Sequence, residues 1–332
     1  MTGRNKMTSA EVSQIWSAFV VNMMFKAHLE YFLVHCNDLE IRSVLDSALQ
    51  FSNKITTGAR AFLNEEDYPT PIAFTEKDIH LDAPRLYTDH FYLYNIQNLS
   101  QYGMLGHSLS LSVSGRADIR EFFSNCVRET VELYNRATEV LIKKGLYLTA
   151  PTVPICKQID FVKEKSFLTG WLGERRPMTV LEINYIVANY LGTAIGRAVC
   201  MSFSQVARSK EIRAYFLRGS QIAQQHLRAF QSMLSEAGLP SIPSFESEVT
   251  NSTIAPFSDK LMMIKVVSLG VIASARYGQA LGEGGRHDIG ANYAKMLAGT
   301  LKFQEEGAKI LIDRGWLEQP PTAVDRKALA RV

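Results

Sequence analysis

The sequence predicts an all-α protein built as a tandem duplication of one four-helix bundle. Three observations carry that reading. Apolar residues recur at spacings of three and four over long stretches, the signature of amphipathic helices. A helix stop, TEVLIKKGLYLTAPT at 138–152, returns as AKILIDRGWLEQPPT at 308–322, so that Leu141, Ile142, Lys144, Gly145, Pro151 and Thr152 find Leu311, Ile312, Arg314, Gly315, Pro321 and Thr322 all 170 positions on. Apolar residues, a basic residue, Gly and then a turn to Pro is how a helix is terminated. Finally, each half carries a Pro-bearing segment without sustained periodicity at the same place.

The elements follow in order. Thr8 or Ser9 can cap the first helix, and Glu11 completes a capping box if Thr8 is the cap. Val12, Ile15, Trp16, Phe19, Met23, Ala27, Tyr31 and Val34 then keep helical spacing over about 28 residues, until Cys36-Asn37-Asp38 breaks the run. Helix 2 carries Ile41, Leu45, Leu49, Ile55, Ala59 and Phe62 and ends near Asn64. The segment 67–84, DYPTPIAFTEKDIHLDAP, is next. Extended, it reaches about 60 Å, whereas a 28-residue helix is about 42 Å long. It can therefore run the length of a bundle and set helices 2 and 3 parallel, the crossover of ferritin-like bundles. Helix 3 is expected from near Arg85 past Leu109, with a break at Gly115. Helix 4 carries Ile119, Phe122, Cys126, Leu133, Ala137, Val140 and Leu141 and stops at Gly145.

This gives a first bundle at 8–152, a linker at 153–177, a second bundle at 178–322 and a tail at 323–332. The linker holds Ile155, Ile159, Phe161, Val162, Phe167, Leu168 and Trp171, too apolar for a free tether, and is expected to pack along the bundles with Phe161, Phe167 and Trp171 buried. In the second bundle Thr179 and Glu182 stand for Thr8 and Glu11, Pro240 and Phe245 for Pro69 and Phe74, and Ser258-Asp259 for Thr88-Asp89. Similarity along whole units, loops included, points to duplication.

Of the 332 residues, 46% are hydrophobic and 21% charged, an ordinary globular composition. A formal charge of +3 and the lack of any recognisable motif argue against nucleic acid. Cys36, Cys126, Cys156 and Cys200 are widely spaced, without a CxxC pair, and are expected to be reduced. The N-terminus does not read as a secretory signal. The longest apolar run, Leu261 to Ala275, is interrupted by Lys265 and reads as a buried helix, so no membrane association is expected.

Chemistry-bearing residues are sparse. A di-metal bundle site needs a Glu-x-x-His pair from each of two helices, and the chain has none; no metal and no cofactor are expected. Glu129 falls on a spacing of Phe122, Cys126, Glu129 and Leu133, but its counterpart is Gly299, and a lone carboxylate there is more often paired locally than a ligand. Helix 3 of the first half is polar and aromatic, with Tyr87, His90, Tyr92, Tyr94, Asn95, Gln97, Gln101, Tyr102 and His107, where its counterpart is aliphatic. A pocket there could take a small ligand, with His28, His90, Tyr94, Gln97, Gln101 and Glu129 as the candidate binding residues. Against it stands the simpler reading of buried tyrosine rings with hydroxyls at the rim. No G-x-S-x-G, P-loop or Rossmann pattern supports catalysis.

Several segments, LDAPRLYTDHFYLY, LTGWLGERRP, APFSDKLMM and RGWLEQPP, resemble the DUF3231 family of Bacillus-type spore-forming bacteria, some of whose members are labelled spore-coat-like. The resemblance runs from Thr8 to about Arg326. It implies a duplicated ferritin-like unit and a place in the cytoplasm or spore coat of the sporulating cell, with other coat proteins or a second copy of the chain as partners. It brings no catalytic motif. The leading expectation is a non-catalytic structural or coat-associated protein; the alternative is a small-molecule- or metal-binding protein using the first bundle.

Overall fold

A computed structural model describes residues 6–170, 175–283 and 285–330. Eight long helices carry the fold: α1 Ser9–His35, α2 Leu39–Glu65, α3 Asp89–Ser112 and α4 Ala117–Lys143, then α5 Val180–Val206, α6 Lys210–Glu236, α7 Asp259–Gly282 and α8 His287–Asp313. The protein is all-α and repeats itself, helix for helix and length for length. Thr8 with Glu11 and Thr179 with Glu182 both form the expected capping boxes. The repeated stop is a left-handed glycine at both places, Gly145 at φ 67° and Gly315 at φ 65°. The next residue in each case, Leu146 or Trp316, donates its N–H back to Leu141 or Leu311 at 2.8 Å.

Contacts between helix ends fix the directions. The Asp89 carboxylate, in the first turn of α3, accepts from the backbone N–H groups of Asn37 and Asp38, just ahead of α2. Asp259 does the same for Arg208 and Ser209 ahead of α6. Helices α2 and α3 therefore start at one end and run parallel, as do α6 and α7, and each crossover spans its bundle. Helix α3 starts at Asp89 rather than near Arg85. The intervening Leu86 accepts from Thr250 across the seam, and the Thr88 hydroxyl caps the helix.

The two crossovers meet each other. Isolated antiparallel bridges join Ile79 to Phe257 and Tyr87 to Val249. Ser258 N–H donates to Asp78 O at 2.9 Å and Thr88 N–H to Glu248 O at 3.0 Å. The side chains repeat the swap, with the Ser258 hydroxyl on Asp78 and the Thr88 hydroxyl on Glu248. Each contact has its mate 170 positions away, which is the pattern of a two-fold, isologous interface made within one chain. Aromatic rings fill the seam beneath, among them His28 against Phe257 at 4.4 Å and Tyr94 against Phe245 at 4.7 Å.

The linker departs from expectation. Ile155 and Ile159 are 94% and 90% exposed and Phe161 is 79% exposed. Phe167 is half-buried beneath the Arg176 guanidinium at 3.9 Å, and Trp171 lies outside the described residues. Apolar content alone does not create a place to pack, and here the paired crossovers already occupy the seam between the bundles. Trypsin is accordingly expected to cut the native protein first within the linker, at Lys157, Lys163 or Lys165. The two fragments are expected to stay together on size exclusion, held by the crossovers; separate elution would contradict that pairing. Helices α5 and α7 are long and apolar enough to cross a membrane by length and composition, and their apolar windows are 67% and 33% buried within the protein.

Candidate functional site

The first bundle holds a pocket that is partly open to solvent. A cavity of about 290 Å³ lies among α1, α2, α3 and α4, and α7 of the second bundle closes one wall with Lys265 and Ile272. Its surface is mostly apolar, from residues such as Leu29, Phe32, Ile96 and Leu133, with Asn22, His28, Asn95, Ser100, Tyr102 and His107 as polar interruptions. A cavity of roughly half this size, walled by Leu, Ile and Phe, is enough for a benzene molecule. No Asp or Glu is among the lining residues. A larger cleft, about 670 Å³, lies between the C-terminal tail and α1. Its carboxylate, Glu318, is already taken by the N–H groups of Ile72 and Ala73.

The chemistry of the cavity is set by burial. Lys265 is 2% exposed. Its ammonium lies 5.1 Å from the centre of the Phe25 ring, and among the described residues no hydrogen bond or ion pair reaches it. Burial pulls its pKa down to about 7. His28 is 5% exposed, and its Nδ1 lies 2.8 Å from Met24 O. A carbonyl oxygen can only accept, so Nδ1 carries the proton and Nε2 is left as a bare lone pair; that Nε2 has no partner. Burial first, and the Lys265 charge second, hold the His28 pKa at about 3. His107 is lowered to about 4 by burial. The imidazoles are therefore neutral at physiological pH, and Lys265 is poised between its two forms.

Of the six candidate residues read from the sequence, the cavity gathers His28 alone. His90 is exposed. Tyr94 donates its hydroxyl to Leu146 O at 2.7 Å, Gln97 donates to the Thr138 hydroxyl at 3.1 Å, and Gln101 accepts from Arg276 at 3.1 Å. Glu129 forms an ion pair with Lys54 at 2.9 Å near the surface. The buried stripe of α4 is Ile119, Phe123, Cys126, Thr130, Ala137 and Leu141. It keeps Ile119, Cys126, Ala137 and Leu141 of the expected spacing but takes Phe123 and Thr130 in place of Phe122 and Glu129, which leaves Glu129 at the edge and puts Thr130 on the cavity wall. The wider polar content of helix 3 does contribute, through Asn95, Tyr102 and His107.

Comparison with known proteins places the molecule. A sequence profile described as "Protein of unknown function (DUF3231)" matches residues 1–159 and again 166–329. The chain belongs to this family. Among solved structures it is similar to a candidate spore coat protein of Bacillus halodurans C-125, with 14% identity and a TM-score of 0.40, over 45% of this chain and 98% of that one. A comparison with curated proteins finds no match.

The DUF3231 profile matches once per half, so equivalent positions of the two copies can be compared. Where the first copy has His107, Leu133 and Ala59, the second has Tyr277, Phe303 and Phe230. Tyr277 is buried, bonded to the Thr193 hydroxyl at 2.8 Å, and Phe303 stacks on Tyr215 at 4.2 Å. The larger rings leave a space of about 80 Å³ in the second bundle. Sequence reasoning missed Lys265, whose signal was present: it is the one charged residue between Leu261 and Ala275.

Proposed function

We propose that this protein is a binding protein for a small, mostly apolar molecule, held in the cavity of the first bundle. The observation that carries the reading is the asymmetry between the copies. One bundle keeps about 290 Å³ open beside a buried amine, and the other fills the equivalent space with aromatic rings. Interiors are otherwise close-packed, and an open cavity forgoes stability that filling would recover. A much larger cavity kept at that cost in one copy supports a binding role.

The double variant His107→Tyr with Leu133→Phe copies the second bundle into the first. It is expected to fold, to gain about 1–2 kcal/mol of stability from filled space, and to lose binding of small apolar probes such as 1-octanol measured by calorimetry. Unchanged binding in a folded variant would overturn the reading.

A second reading, a structural protein of the spore coat, is supported by the linker. Ile155, Ile159 and Phe161, close together in the chain, are all exposed, and exposed apolar residues suit an assembly partner. On this reading the partner is another coat protein. A fluorescent fusion in the sporulating native host tests it: a coat-like shell around the forespore supports it, and diffuse mother-cell signal removes it.

A further inference from the structure

We infer that the ligand of the first-bundle cavity is an apolar carboxylic acid, anchored by the Lys265 amine at its acid end. The inference rests on the cavity being a binding site and adds the chemical class of what it takes.

The argument begins with what Lys265 lacks. A lysine removed from water normally has a carboxylate or several acceptors around it, because an unpaired buried charge is costly. Lys265 sits on a cavity wall without an ion-pair partner among the described residues, and no carboxylate lines the cavity with it. Its position matters too. It comes from α7, in the second bundle, yet lines the first bundle's cavity; its counterpart in the first copy, Asn95, lines the same cavity. Of the two equivalent positions, one thus carries an amide and the other a cation, and both face this space.

The second unpartnered atom is His28 Nε2, an acceptor with its lone pair free. The remaining wall is chiefly aliphatic and aromatic, with α1 and α3 contributing Leu29, Phe32, Ile96 and Leu99. The missing complement is a molecule with one anionic group and an apolar body. A carboxylic acid fits without further reactants. Its proton passes to the Lys265 amine, giving an ammonium–carboxylate pair, and no covalent bond to the chain is made or broken. His28 stays neutral and can accept a hydrogen bond from the Lys265 ammonium or from a hydroxyl on the ligand. A single cation also argues against doubly charged ligands such as phosphomonoesters, whose second charge would be left unpaired in an apolar space.

Matched probes of one chain length test this: octanoate and 1-octanol, titrated calorimetrically into the full-length protein and into Lys265→Met. The wild type is expected to bind octanoate about tenfold or more tightly than octanol, the effect of one charge-assisted hydrogen bond. Lys265→Met should keep octanol binding and lose the preference for the acid. Equal affinities in the wild type, or a preference that survives in Lys265→Met, would overturn the assignment while leaving the cavity a binding site. Failure of both probes to bind the wild type would instead remove the binding reading itself. Octanol binding in Lys265→Met shows that the variant has kept its fold.

Discussion

Replacing Glu182 with alanine is expected to destabilise the protein by about 3–5 kcal/mol, the range for removing one partner of a buried charge pair. The Glu182 carboxylate is 5% exposed. It accepts from both terminal nitrogens of Arg176 at 2.8 Å, from Thr179 N–H at 2.8 Å and from Arg286 N–H at 2.8 Å. It therefore caps α5 and α8 together and neutralises a guanidinium. Alanine leaves the Arg176 guanidinium with the carbonyls of Phe167 and Pro177 but no counter-charge from Glu182, and the Arg286 N–H, on a residue 6% exposed, cannot turn to water for a substitute. Urea denaturation should show a lower midpoint with an unchanged slope; a loss below about 1 kcal/mol, the size of an ordinary cap, would contradict the clamp.

The same carboxylate predicts an acid limb. Burial pushes the Glu182 pKa up, but hydrogen bonds from Arg176, Thr179 and Arg286 outweigh it and bring the value down to about 2 from an ordinary 4.5. A group with a depressed folded pKa contributes stability that is complete above about 4.5 and is lost as pH falls toward 2. Glu11, its counterpart, is lowered as well and binds the N–H groups of Gly115 and Arg116. The buried His28, His107 and His226 add to the effect at higher pH, since the unfolded chain takes up their protons below about 6.5 and the folded one does not. In Glu182→Ala the lowest part of this limb should be shallower than in the wild type.

These residues show what the sequence made legible. Thr8 with Glu11 and Thr179 with Glu182 were readable as capping boxes because the partners lie three residues apart. Their hold on α4 and α8 was not, since Glu182 and Arg286 are separated by 104 positions. The duplication and the helix stops were likewise readable; the parallel α2 and α3 were readable as an option, because the crossover is long enough to permit it. Glu129 was misplaced because 3.6 residues per turn leaves a stripe's phase uncertain by one position, and one position carries a side chain 100° around the helix. The linker was misjudged for another reason: burial needs a vacant apolar face as well as apolar residues. The cavity was visible only as a polar streak in helix 3, because open space is a property of four helices and a neighbouring bundle at once. Lys265 could have been singled out as a charge inside an apolar run, but whether such a residue snorkels to water or stays buried depends on what covers it.

Lys265→Met is expected to stabilise the protein, by an amount that depends on pH. The unfolded chain holds the lysine proton up to about 10.5, and the folded protein gives it up near 7. Between those values the unfolded state binds more protons, so this residue makes wild-type stability rise with pH. Below 7 both states are charged, and the folded state bears the whole cost of an unpaired buried ammonium, on the order of 5 kcal/mol. Methionine removes the charge and nearly keeps the volume. The gap between variant and wild type should therefore be flat below pH 7 and shrink toward zero near 10.5. Tyr277 and Cys200, pushed up by burial, titrate alike in both proteins and cancel in the difference. The other titratable groups on the cavity wall are His28, Tyr102 and His107. The histidines are neutral throughout this window and Tyr102 is raised by burial, so none of them supplies the slope. Thermal or urea melts of the two proteins from pH 6 to 10 measure the gap directly. A gap that does not change with pH, or a variant less stable than the wild type at pH 7, would mean that the amine is already paired or solvated. A position where the natural residue costs stability and a simple substitution restores it is the mark of a residue kept for binding rather than for folding.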